Sequence, residues 1–132
     1  RRLFDDVLDV VTDGGAAAPR PELKVRLAEF SADLEAAAAL VDRCFCQLDS
    51  GEPIAVSAAM TKLFVTEVFK NLAHAALDMI GPEALLAPGH HRVSGRVSFE
   101  HVFRHSQVST IYGGSSEVQR NIIAGRGLGL GR

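Results

Sequence analysis

Apolar residues recur at helical steps of three and four along most of the chain. Leu3, Phe4, Val7, Leu8 and Val11 share one face, and Gly14-Gly15 stop the run, so a helix is predicted to end near Asp13. AAAPRP (16–21) reads as a short linker, with Pro21 suited to the first turn of a new helix. Leu23, Leu27, Phe30, Leu34, Val41, Phe45 and Leu48 then step by fours, threes and sevens, which predicts one apolar face on a long helix over 21–49. Asp49-Ser50-Gly51 ends it and Pro53 begins the next.

The third helix, over 53–80, carries Met60, Leu63, Phe64, Val65, Val68, Phe69, Leu72, Leu77, Met79 and Ile80 on more than one side. An apolar stripe wider than one face marks a central helix with neighbours on two sides. Gly81-Pro82 closes it, and residues 81–97 read as an irregular connection rich in Gly and Pro. From Ser98 a fourth helix follows, with Phe99, Val102, Phe103, Ser106 and Thr110 at shared spacing. A glycine hinge comes next, and Val118, Ile122 and Ile123 mark a last short helix. No segment alternates as a strand does. The expected fold is all-α, an antiparallel up-and-down four-helix bundle with a short extra C-terminal helix.

Composition narrows the function. At 132 residues the chain suits a single domain, and 47% hydrophobic with 23% charged residues is ordinary for a globular one. Fourteen basic against sixteen acidic residues leave no excess that favours nucleic acid. No apolar run approaches the roughly 18 residues a membrane span needs, and the three Asp in RRLFDDVLDVV argue against a secretory signal. Cys44 and Cys46, two apart on a helix, point to nearly opposite sides and do not pair, which fits a reducing compartment such as the cytoplasm. The sequence opens in mid-pattern without a Met and reads as the tail of a longer chain.

Candidate chemistry is sparse. His101 and His105, four apart, could form half a metal site, but hydrogen-bonded or solvated histidines are the better reading, as for His90 and His91 in the loop. Glu67, Lys70 and the stretch from Glu35 to Asp42 read as solvated helix faces, and Lys62 as a lysine snorkelling to the surface. The exception is IYGGSSEVQRNII (111–123). Gly113 and Gly114 allow backbone angles closed to other residues and close approach by another molecule. Ser116 and Gln119 have capping-box spacing, so a helix restarts there with free N–H groups at its mouth, joined by the Ser115 hydroxyl. The stretch is equally readable as a ligand-facing hinge or as a plain turn between helices.

The longer stretch IYGGSSEVQRNIIAGRGLGL (111–130) resembles the C-terminal signature of the acyl-CoA dehydrogenases, flavoenzymes that oxidise the α,β bond of acyl-CoA thioesters. LAEFSADLEAAAALV (27–41), TKLFVTEVFKNLAHAALDMIG (61–81) and FRHSQVSTIYGGS (103–115) agree in order and spacing. The resemblance covers nearly all of residues 1–132, but only the helical C-terminal third of a family member, without its N-terminal helical and middle β domains. It implies a helical bundle at the core of a homo- or hetero-oligomeric dimer or tetramer, FAD at subunit interfaces, an acyl-CoA substrate and an electron-transfer flavoprotein as possible partner. Tyr112 would sit at the mouth of the acyl pocket and Gly114 against the acyl-CoA, with Ser115, Ser116 and Glu117 at flavin-contacting positions.

Departures from the pattern qualify this. Many members carry the catalytic base, a Glu, directly after the Tyr; here that position is Gly113, so no catalytic residue is assigned. Some branches instead carry the base on the helix that precedes Arg1. VVTDGG around Asp13-Gly14 replaces an Arg-x-x-Phe-Gly motif, and Asp78-Met79-Ile80-Gly81-Pro82 replaces Gln-x-x-Gly-Gly. The expected role is therefore the C-terminal domain of an FAD-dependent dehydrogenase, inactive in isolation. The rival is a non-catalytic assembly subunit of a heteromeric dehydrogenase.

Overall fold

The computed structural model describes residues 1–13, 21–86 and 98–130. Its elements are α1 (Arg2–Asp13), α2 (Pro21–Asp49), α3 (Ala55–Ile80), a 3-10 turn (Pro82–Leu85), α4 (Phe99–Ser109), α5 (Ser116–Ile122) and a π-helical turn (Ile123–Gly127). Among the described residues every element is helical. The 16–21 linker lies outside them except for Pro21, which opens α2 as expected.

The helix limits follow from local chemistry. Ser98 caps α4, its hydroxyl accepting the His101 N–H at 3.3 Å. Gly81, at φ 82°, closes α3 and donates its N–H to Leu77 O at 2.8 Å. Helix α3 starts at Ala55 rather than Pro53, because its first turn is built on the Ile54 carbonyl. That oxygen accepts the Ala58 N–H at 2.7 Å and the Ser57 hydroxyl at 3.0 Å.

Helix α3 is the hub: it packs against α1, α2, α4, α5 and both short turns. This agrees with its wide apolar surface, since a helix with neighbours on several sides buries more than one face. The main core joins Leu3, Phe4 and Val7 of α1 to Leu27 of α2 and to Leu72, Ala73 and Ala76 of α3. Ala84 and Phe99 complete it. Alanines at 73, 75 and 76 are almost fully buried, and their small side chains let the neighbouring helices lie close to the α3 backbone.

Helix α2 departs from the single stripe. Leu27, Phe30 and Leu34 pack into the main core, but Val41, Phe45 and Leu48 are exposed, Phe45 to 61%. Beyond Leu34 the covered positions become Ala37, Leu40, Cys44 and Gln47, a face rotated by about 100° at the helical turn per residue. The rotation has a tertiary cause. The first half of α2 faces a core shared with α1, whereas the second half meets α3. There Thr61 donates its hydroxyl to Leu40 O at 3.2 Å and lies 3.2 Å from Cys44 Sγ. The displaced stripe borders an apolar groove of about 390 Å³ between α2 and α3, with Ala58 and Val65 on its far side.

Candidate functional site

The connection from α4 to α5 is built by hydrogen bonds that turn the chain sharply. Ile111 and Tyr112 both donate their N–H to Val108 O, at 2.9 and 3.2 Å, and Ser116 donates its N–H to Thr110 O at 3.0 Å. Closing the chain this tightly takes Gly113 to φ 68° and Gly114 to φ 94°, the left-handed region where a side chain is strained. The restart of the helix is capped one residue earlier than the sequence spacing indicates. Ser115 is the N-cap, accepting the Val118 N–H at 3.4 Å, while its carbonyl accepts the Gln119 N–H at 2.9 Å.

Two residues read as surface charges hold this turn. Lys62 Nζ donates to Gly114 O at 2.6 Å. Five residues on along α3, Glu67 Oε1 accepts the Ser116 hydroxyl at 2.7 Å and lies 3.8 Å from Arg120 Nη2. Both side chains are half-buried, each hydrogen-bonded to the turn. Gln119, 7% exposed, donates its Nε2 to Gly113 O at 3.1 Å and to Gly114 O at 3.3 Å. The two glycine carbonyls are thus gripped by an α3 ammonium and by an amide from α5.

The sequence reading missed all three roles. One signal was available: charges within a helix that is apolar nearly all round require partners when it packs on several neighbours. The identity of those partners is a matter of three-dimensional approach.

The remaining expected positions divide by exposure. Tyr112 is 53% exposed and its ring lies 6.0 Å from that of His105, which sits edge-on to Phe69 at 6.3 Å. Glu117 is exposed, whereas Ser116 is 5% exposed with its hydroxyl turned towards α3. The Ser115 hydroxyl depresses the Glu117 carboxyl below the ordinary glutamate range. The residue's own N–H adds to this, burial opposes it, and the Arg120 and Lys62 charges make the smallest contributions, both lowering. At Gly113 a Cβ would meet nothing within 4 Å, but at Gly114 it would come within 2.5 Å of Gln119 Nε2. The turn therefore has open space and no carboxylate at 113.

Elsewhere, His101 and His105 stack with rings 6.3 Å apart and 7° from parallel. Among the described residues no three His, Cys, Asp or Glu come together as metal donors, and no helix is long and apolar enough to cross a membrane. His90, His91 and Gly14 lie outside the described residues. Asp78 pairs with Arg26 at 3.8 Å on the surface, and Pro82 opens the 3-10 turn after Gly81. Cys44 and Cys46 are unpaired thiols, Cys44 half-buried and Cys46 exposed.

Residues 1–128 match the family model described as acyl-CoA dehydrogenase, C-terminal domain. The human mitochondrial short-chain specific acyl-CoA dehydrogenase is 31% identical over 111 residues, covering 82% of this chain and 25% of that protein. The acyl-CoA dehydrogenase IpdE1 of Mycobacterium tuberculosis is 38% identical over 74 residues, covering 55% of this chain and 18% of its own length. Among solved structures, the Tcur3481-Tcur3483 steroid ACAD superposes with a TM-score of 0.89 at 27% identity, covering 99% of this chain and 34% of that one. The chain thus spans a quarter or less of these two curated relatives. Relatives named as dehydrogenases do not favour the assembly-only alternative.

Proposed function

The chain belongs to the acyl-CoA dehydrogenase family, as its C-terminal domain, and from that premise we propose that it serves an FAD-dependent oxidation of the α,β bond of an acyl-CoA thioester. The observation that carries this reading is the family match over residues 1–128, which includes the whole Tyr112–Glu117 turn. In this reading Tyr112 lies at the mouth of the acyl pocket and Gly114 against the thioester, while Ser115, Ser116 and Glu117 line the flavin. Accessibility supports it: a Cβ on Gly113 meets nothing within 4 Å, and Tyr112 and Glu117 are exposed beside it. The fit is through Ser115, Glu117 and the backbone. Ser116 takes part chiefly by fixing the turn, since its hydroxyl donates to Glu67.

Bound FAD supplies the hydride acceptor for the reaction. The chain's own residues bind and orient: the tethered turn sets the backbone against the thioester, and Tyr112 borders the acyl chain. With Gly113 in the turn, the α-proton goes to a carboxylate outside it, for which the helical segment before Arg1 is the place the resemblance suggests. These 132 residues are one domain of a longer enzyme, matching the 25% share of the human relative. In the assembled protein α1–α4 form an antiparallel four-helix bundle whose outer faces build a homo- or hetero-oligomer. An electron-transfer flavoprotein is the partner that would take up the electrons. The unpaired thiols of Cys44 and Cys46 suit a reducing compartment such as the cytoplasm.

The full-length protein is expected to purify yellow, with flavin absorbance, and to reduce an electron-accepting dye when given acyl-CoA thioesters. A steroid-chain thioester belongs in the panel because one structural relative is a steroid ACAD. A colourless protein without turnover on any of them would sink this reading.

A further inference from the structure

We propose that Lys62 is a positioning residue that sets the backbone conformation of the Gly113-Gly114 turn and, through it, the placement of the groups facing substrate and flavin. The link to catalysis rests on the functional reading above; the link to the backbone stands on geometry alone. Two consecutive glycines have more conformational freedom than any other residue pair, and both here are held at positive φ, 68° and 94°. Gln119 reaches both carbonyls from within the same local segment, and a further bond reaches the turn from α3. Lys62 supplies the long-range bond from α3, its ammonium donating to Gly114 O at 2.6 Å across 52 residues of sequence. Gln119 shares the same oxygen at 3.3 Å, but it belongs to the short helix that the turn itself positions. Among the described residues, Lys62 is the one that ties the glycine carbonyl to the hub helix.

The bond is charge-assisted and partly shielded from water, the circumstances in which a hydrogen bond orients most strongly. The Glu117 carboxyl at the start of α5 is held low chiefly by the Ser115 hydroxyl, with the Lys62 charge the smallest contribution. The Lys62 stem also lines the apolar groove between α2 and α3. A test must therefore keep the stem and remove the head.

Lys62→Met does this, and Lys62→Gln keeps a neutral donor of shorter reach. In the full-length protein, amide hydrogen exchange over residues 111–120 is expected to speed up at least about fivefold in Lys62→Met, with α2 and the body of α3 unchanged and Lys62→Gln intermediate. Under the functional reading, kcat/KM for acyl-CoA falls by at least about tenfold in Lys62→Met, and the bound-flavin spectrum shifts. If Lys62→Met does not fold, the comparison rests on Lys62→Gln. Unchanged exchange in the turn of a folded variant overturns the proposal, whatever the activity does. Faster exchange with kcat/KM within twofold of the parent overturns the link to catalysis. A parent protein without flavin or turnover overturns the functional reading and leaves the exchange result to decide the role of Lys62.

Discussion

Glu67 and Ser116 lie 49 residues apart in sequence and 2.7 Å apart in space, the serine hydroxyl donating to the carboxylate from the first turn of α5. Arg120 Nη2 stands 3.8 Å from the same oxygen, so one residue of α3 anchors both turns of a seven-residue helix. A helix this short does not persist on propensity alone. Its position depends on such contacts. Ser116→Ala should lower stability by about 1–2 kcal/mol, because a half-buried carboxylate loses a donor. The thermal midpoint of the full-length protein measures it, and a midpoint equal to the parent's would show that the bond contributes nothing.

The two glycines of the turn should respond differently to the same change. Gly113→Ala meets no neighbour, so its cost is the left-handed backbone alone, about 1 kcal/mol. Gly114→Ala also drives Gln119 off the glycine carbonyls, bringing the total to about 2–3 kcal/mol. Denaturation midpoints of the two variants side by side check the order. Equal losses would mean that Gln119 yields without cost.

Glu117 should titrate below the ordinary glutamate range, and Ser115→Ala should move it back up, since the Ser115 hydroxyl is the largest cause of the depression. The sign follows from linkage. A carboxyl whose folded value is depressed stabilises the fold above its unfolded value, and that contribution is lost as pH falls through the folded value. The α5 turn is therefore expected to loosen only in acid. Carbon-13 NMR of the Glu117 carboxyl across the acidic range reads the shift, and an identical curve in Ser115→Ala would remove the assigned cause.

Leu72, at 2% exposure, sits where α3 meets the buried apolar residues of α1, α2 and α4. Leu72→Ala should cost about 3 kcal/mol through lost transfer energy and the cavity left behind. Phe45→Ala, on the exposed stripe of α2, should cost below about 1 kcal/mol unless that stripe is covered in the assembly. A large loss for Phe45→Ala that grows with protein concentration would identify the groove face as an oligomer contact.

How much of this was legible beforehand differs by residue. The end of α1, the limits of α2, the central place of α3 and the glycine hinge followed from spacing, proline and glycine. These are properties of the local chain, set by the 3.6-residue period and by the angles each residue allows. The cap at Ser115 was misplaced by one residue, because Ser115 and Ser116 both suit an N-cap and only the turn's closure selects one. Val41, Phe45 and Leu48 continue a helical stripe in the sequence, yet they lie exposed, because the partner of α2 changes from a shared core to α3 alone. Lys62, Glu67 and Gln119 carry ordinary polar side chains whose roles depend on which backbone comes within reach. The sequence by itself determined the helices, the family signature and the missing carboxylate at Gly113. Tertiary structure alone decided which charges tether the turn, since hydrogen bonds act over about 3 Å and their partners lie some fifty residues away along the chain.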